Sequence, residues 1–413
     1  VGSDAGKILA AQGLRAVAYG FSSVLLGASL EARGWSSVRV GVFLTAILVG
    51  TGTTSLVLAR YGERLGRRRA YALLFAGLAV SGTVLGLTAA LIPLMLVALT
   101  GTVSTDVVES GPFTSLEQAM LPSTVPADRV PWIFGRYNAV ATLAGSFGAL
   151  AAGGPELLRH VWPGLPANQR FFLLLIPVAM AGLLLARSLS PAVEAPPANE
   201  GAPSRGGLGR SRRKVAAISA LIAVDSFGGG FVVQAFIAFW FRRRFGVSLE
   251  VLGMLFFAVG LLQTGSFLVA ARLSSRIGLL NTMVFTHLPS NVLLALIPLA
   301  PNLGIAVALL LARFALSQMD VPARQAFIAA LVDPSERTAA AAYTNTVRYA
   351  VRPFGALLGG LSQRLAFGAP FVLGGAIKSA YDVALYTWFR KVPLDPVTPA
   401  ASTAPAEPTA PGP

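Results

Sequence analysis

Ten charged side chains stand inside otherwise apolar runs: Arg15, Asp106, Glu109, Asp225, Arg313, Asp320, Arg348, Arg352, Lys378 and Asp382. A charge at mid-membrane depth costs at least ~2.5 kcal/mol, so such residues face a cavity or a partner and point to function. Three kinds of chemistry are open to them. A buried carboxylate can carry a proton, for which Asp225 and Glu109 are the first choices, or it can stay permanently ion-paired. A guanidinium offers a planar bidentate donor to an anionic solute, and Arg352, just before Pro353, either does this or pairs with Asp320 or Asp382. Opposite charges can also meet and fix helix packing. Covalent and metal chemistry lack their residues: cysteine is absent and the two histidines, His160 and His287, are far apart. His287, in FTHLPSN, is read as a hydrogen-bonded structural residue. No Walker loop, nucleophile elbow or H-E-x-x-H pair occurs, so neither a pump nor an enzyme is expected, and no cofactor or metal.

The elements that must position these charges follow from composition. Hydrophobic residues make up 54% of the 413 and charged residues 12%, against about 25% charged in a soluble domain. Most of the surface must therefore face lipid. The net charge of +15 does not point to nucleic acid, because its basic residues sit in short runs between apolar segments. Windows of about 20 apolar residues give twelve spans, near 8–31, 38–59, 70–90, 92–120, 132–154, 171–186, 215–240, 249–271, 279–299, 303–331, 338–362 and 369–389. The spans at 92–120 and 303–331 exceed one crossing and are expected to tilt or project. Twelve crossings put both termini on one side.

The fold class expected is thus an all-α membrane protein of two six-helix bundles, residues 1–187 and 215–392. A flexible basic linker over 188–214 ends in GLGRSRRK, and a Pro, Ala and Thr-rich tail over 393–413 is expected to be disordered. The first residues are too few and too polar for a signal peptide. Loop counts of roughly 19 Lys and Arg on the terminal side against roughly eight on the other put the termini in the cytoplasm. Arg242, Arg243 and Arg244 oppose that count. The location expected is the inner, cytoplasmic cell membrane, with a monomer in the lipid bilayer.

The halves repeat at an offset of about 210 residues. Gly66 and Arg64 in ARYGERLGRRR match Gly278 and Arg276 in AARLSSRIGLL, and Gly41 matches Gly253. Asp128 and Arg129 match Glu336 and Arg337; Asn138 matches Asn345; Phe147, Gly148, Ala149 and Leu150 match Phe354, Gly355, Ala356 and Leu357. A parallel repeat of six helices implies a pseudo-two-fold axis along the membrane normal with a site between the halves.

These residues resemble the major facilitator superfamily, whose loop signature G-x-x-x-D-R-x-G-R-R falls on Ala59, Glu63, Arg64, Gly66, Arg67 and Arg68. Ala59 and Glu63 depart from it, and the second copy has Ser275 where the acid would stand. The run SQMDVPARQAFIAALVDPSERTAA, with NTMVFTHLPSN, is similar to a little-characterised group of prokaryotic permeases in that superfamily. The resemblance implies that helices one, four, seven and ten line a central path, which places Arg15, Asp106, Asp225 and Arg313 on it. It also implies that the loop with Glu63 and its arginines holds the cytoplasmic side together and releases as the halves rock. AGSFGALAAGGP and RPFGALLGGL resemble the glycine-rich helix five of antiporters in that superfamily, without its Gly-Pro step, which leans toward export.

Three pseudo-equivalent pairs carry opposite charge: Arg15 with Asp225, Asp106 with Arg313, and Glu117 with Arg324. Either some of them meet across the halves in one state, Glu117 with Arg324 as the cytoplasmic gate, or each pairs within its own half. The expected function is proton-coupled secondary transport of a small solute, with export ahead of uptake of an organic anion, and an uncoupled lipid flippase or sensor as the other class. Gly228, Gly229 and Gly230 beside Asp225 predict close helix approach or local unwinding there.

Overall fold

The computed structural model describes residues 3–105, 111–126, 129–194, 211–332 and 336–392, with a few side chains inside those ranges excepted. Asp106, Glu109, Asp128, most of the linker and the tail lie outside them, as does the side chain of Glu63. The described residues form helices joined by short turns. The first half holds α1 (Ser3–Ala32), α2 (Ser37–Leu65), α3 (Arg67–Leu87), α4 (Leu91–Ala98), α5 (Pro112–Met120), α6 (Val130–Ala151), α7 (Gly154–Val161) and α8 (Leu175–Arg187). The second holds α9 (Arg212–Gly230), α10 (Gln234–Phe245), α11 (Leu249–Ile277), α12 (Leu279–Leu296), α13 (Leu303–Ser317), α14 (Asp320–Leu331), α15 (Arg337–Ser362) and α16 (Ala369–Phe389).

Three crossings are broken helices. The fourth is α4 followed by α5, which starts on Gly111 and Pro112, where a proline fits because the first helical N–H has no partner. The seventh is α9 and α10 with Phe231, Val232 and Val233 between them, so the glycine run ends a helix. The tenth is α13 and α14, interrupted at Gln318 and Met319. The long apolar runs at 92–120 and 303–331 are therefore interrupted rather than continuous helices. Unwound backbone at membrane depth survives only beside protein or a polar cavity, and such breaks mark the binding level of transporters.

Glycine packing explains the internal repeat. A Cβ on Gly148 would lie 2.1 Å from the carbonyl oxygen of Val17, and one on Gly355 would lie 2.0 Å from that of Phe227. Gly20 meets Gly145 and Ala149 as Gly230 meets Arg352 and Ala356. So α1 lies on α6 as α9 lies on α15, backbone to backbone, and the FGAL runs are the surfaces that allow it. The contacts between halves obey the same symmetry: α2 packs on α15 through Gly41 and Gly360, and α11 packs on α6 through Gly253 and Ala149. Gly148→Val is expected to overpack α1 against α6 and to lower the unfolding midpoint in detergent by an amount that ~1–3 kcal/mol represents. Gly135→Ala, where a Cβ meets nothing within 4 Å, should leave the midpoint unchanged or raise it.

Candidate functional site

The first half buries one ion pair between α1 and α5. Arg15 donates from Nη2 to Oε2 of Glu117 at 2.7 Å and from Nε to Oε1 at 3.2 Å. Tyr71 and Tyr137 donate their hydroxyls to the two oxygens of the same carboxylate, at 2.7 and 2.5 Å. The guanidinium also lies over the rings of Tyr19 and Phe113, 5.2 and 5.4 Å from their centroids. Glu117 is fully buried and Arg15 nearly so. Four hydrogen bonds to one carboxylate are what make a dry ion pair tolerable.

The second half repeats the arrangement with the charges exchanged. Asp225 of α9 accepts from Arg324 of α14 at 3.3 Å and from Lys378 of α16 at 2.5 Å. Arg324 also pairs with Asp320 at 3.1 Å, one turn earlier on α14. Nε2 of His287 lies 3.7 Å from Asp225, while Nδ1 lies 2.9 Å from Asp382, which accepts from Asn291 at 2.9 Å. The pseudo-two-fold thus carries an Arg-to-acid pair on the first and fourth crossings onto an acid-to-Arg pair on the seventh and tenth.

Between the halves lies a cavity of about 390 Å³. Its wall takes Gln12, Arg15, Tyr137 and Asn138 from the first half. From the second it takes Asp225, His287, Asp320, Arg324 and Lys378, with Arg313, Arg348 and Arg352. The breaks of the seventh and tenth crossings reach it through Val232, Ser317 and Gln318. Polar groups from both halves converging at a break of lining helices form the kind of site that binds a compact polar solute.

The halves are clasped at the end away from the termini. Arg242, closing α10, pairs with Glu31 at the end of α1 at 2.9 Å and with Glu156 of α7 at 4.0 Å. Glu156 in turn accepts from the backbone N–H of Leu249, and Arg243 donates to the carbonyl of Trp35 at 3.2 Å. Gln234 donates to Ser23 at 3.2 Å, and the N–H of Ala235 reaches the carbonyl of Thr105 at 3.0 Å. Two of the three arginines that opposed the loop count, Arg242 and Arg243, therefore have cross-half partners.

At the terminal end, Gly66 and Gly278 start α3 and α12 with φ of 86° and 85°, a conformation that favours glycine. Glu194 caps α3 by accepting from the N–H groups of Arg67 and Arg68 at 2.6 and 3.2 Å. The side chain of Arg67 reaches the carbonyl of Ala119 and that of Arg68 the carbonyl of Arg187, tying the loop to the ends of α5 and α8 in its own half. Arg64 and Arg276 are exposed.

Of the residues singled out in the sequence, the structure brings Arg15 to Glu117 and Asp225 to Arg324, Asp320 and Lys378. It does not bring Glu117 to Arg324 in this conformation; each is paired inside its own half. His287 is hydrogen-bonded as expected but also lines the cavity. Gln12, Tyr71, Tyr137, Asn291 and Glu194 escaped sequence reasoning. Gln12 had a usable signal, standing three residues before Arg15 and so on the same helix face.

Comparison with known proteins agrees with this fold. An uncharacterized membrane protein of Saccharomyces cerevisiae, YJR124C, is 25% identical over 415 residues that cover 92% of each chain. Its presence in yeast takes the likeness beyond prokaryotic permeases. The nucleoside transporter NupG superposes with a TM-score of 0.67 at 15% identity, over 94% of this chain and 98% of that one. The xylose transporter XylE from E. coli, in an inward open conformation, gives 0.67 at 14% identity, over 95% and 98%. A bacterial homologue of the human lysosomal transporter Spinster gives 0.66 at 15% identity, over 93% and 94%. These likenesses show a shared fold of twelve crossings in two pseudo-symmetric six-helix bundles. The sequence profile of the Major Facilitator Superfamily matches residues 8–356, and the chain belongs to that superfamily.

Proposed function

We propose that this secondary transporter moves a compact polar solute by rocking its halves about the central cavity, and that a proton bound at the Asp225 network drives it. The observation that carries the reading is the cavity itself. It is shared by both halves at the helix breaks and bordered by buried ion pairs whose charges are exchanged between the halves. A cavity that two mobile halves share can be opened to either side in turn, which is alternating access. With the termini in the cytoplasm of an inner cell membrane, as the loop charges favour, the clasp at Arg242 closes the outer side and the conformation faces inward. In the outward state we propose that the terminal ends of α5 and α14 approach, so that Glu117 exchanges Arg15 for Arg324 and the second loop at Arg276 and Gly278 comes up to the first.

Export has support from the glycine run of the fifth crossing. The same contact recurs in the eleventh, Gly148 on Val17 and Gly355 on Phe227, so packing accounts for that run and direction is better read from the coupling chemistry.

Because the chain has no cysteine, a single introduced thiol reports alternation without a known solute. Ser23→Cys puts it at a fully buried position of the clasped end. Weakening the clasp with Arg242→Ala, which removes its pairs with Glu31 and Glu156, is expected to speed its labelling by a membrane-impermeant maleimide about fivefold, the shift that ~1 kcal/mol gives. If the two backgrounds label at the same rate, the clasp is not a gate and the alternating-access reading loses its support.

A further inference from the structure

We infer that a groove at the terminal end of the first half holds the headgroup of an anionic phospholipid, whose acyl chains run down the crease between α3 and α8. The inference needs only the membrane fold and stands apart from the solute and its coupling.

The groove has a volume of about 890 Å³ and lies where the end of α2, the start of α3 and the end of α8 meet. Four arginines stand at its mouth: Arg64 in the last turn of α2, Arg68 and Arg69 in the first turn of α3, and Arg187 closing α8. Among the described residues, none of these four side chains forms an ion pair with a carboxylate. Arg68 donates from Nη2 to the carbonyl oxygen of Arg187 at 3.2 Å, and its Nε is buried with no hydrogen-bond partner. The acid of the lining is Glu194, whose two oxygens accept from the backbone N–H groups of Arg67 and Arg68. Four cations against one carboxylate leave three positive charges in excess at the mouth. Guanidinium groups gathered in this way repel one another, and a phosphate accepts from several of them at once.

Below the arginines the groove turns apolar. Ala72, Leu73 and Ala76 follow Arg68 and Arg69 at helical spacing and continue the same face of α3, and Leu183 stands one turn before Arg187 on α8. Ala76 is about 10 Å along the axis from Arg69. Leu73, 59% exposed, faces outward from a helix that crosses the membrane, so its surroundings are lipid. The two helices are held together deeper down, where a Cβ on Gly82 would lie 2.7 Å from Leu175 and one on Gly182 would lie 2.2 Å from Phe75. The crease is thus a fixed feature of their packing. A soluble phosphate would answer the charge and leave the apolar wall uncovered. A phospholipid carries its charge above its chains in the same order as the groove. Basic sites between transmembrane helices on the cytoplasmic side take anionic headgroups, and the loop charges favour that side for this end.

The test uses delipidated full-length protein in detergent. Phosphatidylglycerol is titrated against phosphatidylcholine, and against inorganic phosphate and glycerol 3-phosphate, which share the head chemistry and lack chains. Binding is read as the rise in unfolding midpoint and as lipid adducts in native mass spectrometry. Phosphatidylglycerol is expected to act at a concentration at least tenfold below phosphatidylcholine, and the two soluble phosphates to have no effect. Replacing Arg64, Arg69 and Arg187 together by Gln should raise the phosphatidylglycerol concentration needed by tenfold or more. The same number of charges removed outside the groove, by replacing Arg212, Arg213 and Arg276 with Gln, should leave it within twofold of wild type. All six are exposed, so both variants should melt near wild type without lipid. Equal action of the two lipids, stabilisation by the soluble phosphates at the same concentration, or equal losses in the two variants overturns the inference. The first two outcomes are read on the wild-type protein and do not depend on any variant folding.

Discussion

Glu117→Ala is expected to lower the unfolding midpoint more than any other single substitution in the membrane core. The carboxylate is fully buried, and Arg15, Tyr71 and Tyr137 all donate to it. Removing it leaves Arg15, 4% exposed, as an uncompensated cation and strips two phenols of their acceptor. Stranding one partner of a buried pair costs ~3–5 kcal/mol. The two cation–π contacts to Tyr19 and Phe113 are already made in the intact protein and so do not offset that loss. The double variant Arg15→Gln with Glu117→Gln is the informative control. It abolishes the lone charge, so most of the midpoint should return even though both charged groups are gone. If the double variant melts no higher than Glu117→Ala, the loss is one of packing and the pair is not the source of the effect.

That pair shows what one sequence can reveal of such a site. The charged residues were visible because hydrocarbon penalises them, and the equivalence of Arg15 with Asp225 and of Glu117 with Arg324 was visible because the halves repeat. Which of these residues touch was not. Arg15 and Glu117 stand 102 positions apart, and only the packing of the first crossing beside the fourth within one half brings them together. Tyr71 and Tyr137 gave no signal, since a tyrosine in an apolar helix is an ordinary residue until its hydroxyl finds a carboxylate. The crossings were legible for the same reason the charges were. The window at 38–59 became Ser37–Leu65, and that at 132–154 became Val130–Ala151. Hydropathy sums side chains and ignores backbone hydrogen bonds, so it ran straight through the interruptions at Gln318 and Met319 and before Gly111. The glycine run at Gly228, Gly229 and Gly230 was readable as a break because glycine acts on the backbone.

Asp225→Asn is expected to uncouple the transporter rather than to stop it. The substitution keeps the shape of the side chain and one acceptor oxygen for Arg324 or Lys378, which the two carboxylate oxygens now bind at 3.3 and 2.5 Å, while its NH2 group donates and cannot accept from the other. It removes the charge those cations oppose, and with it the group that exchanges a proton for them. The cavity, the clasp at Arg242 and the glycine contacts between halves are untouched, so a bound solute can still be carried across in either direction. In proteoliposomes loaded with a solute that shifts the unfolding midpoint, exchange of labelled for unlabelled solute should persist within a few-fold of wild type. Accumulation driven by an imposed pH gradient should fall by about a hundredfold, as for the loss of an essential proton-transfer group. Should accumulation and exchange fall together, Asp225 is needed to hold Lys378 and Arg324 in place and the proton is carried elsewhere. His287 and Asp382, 2.9 Å apart behind Asp225, are then the next pair to neutralise, and exchange without accumulation in His287→Gln would move the proton site there.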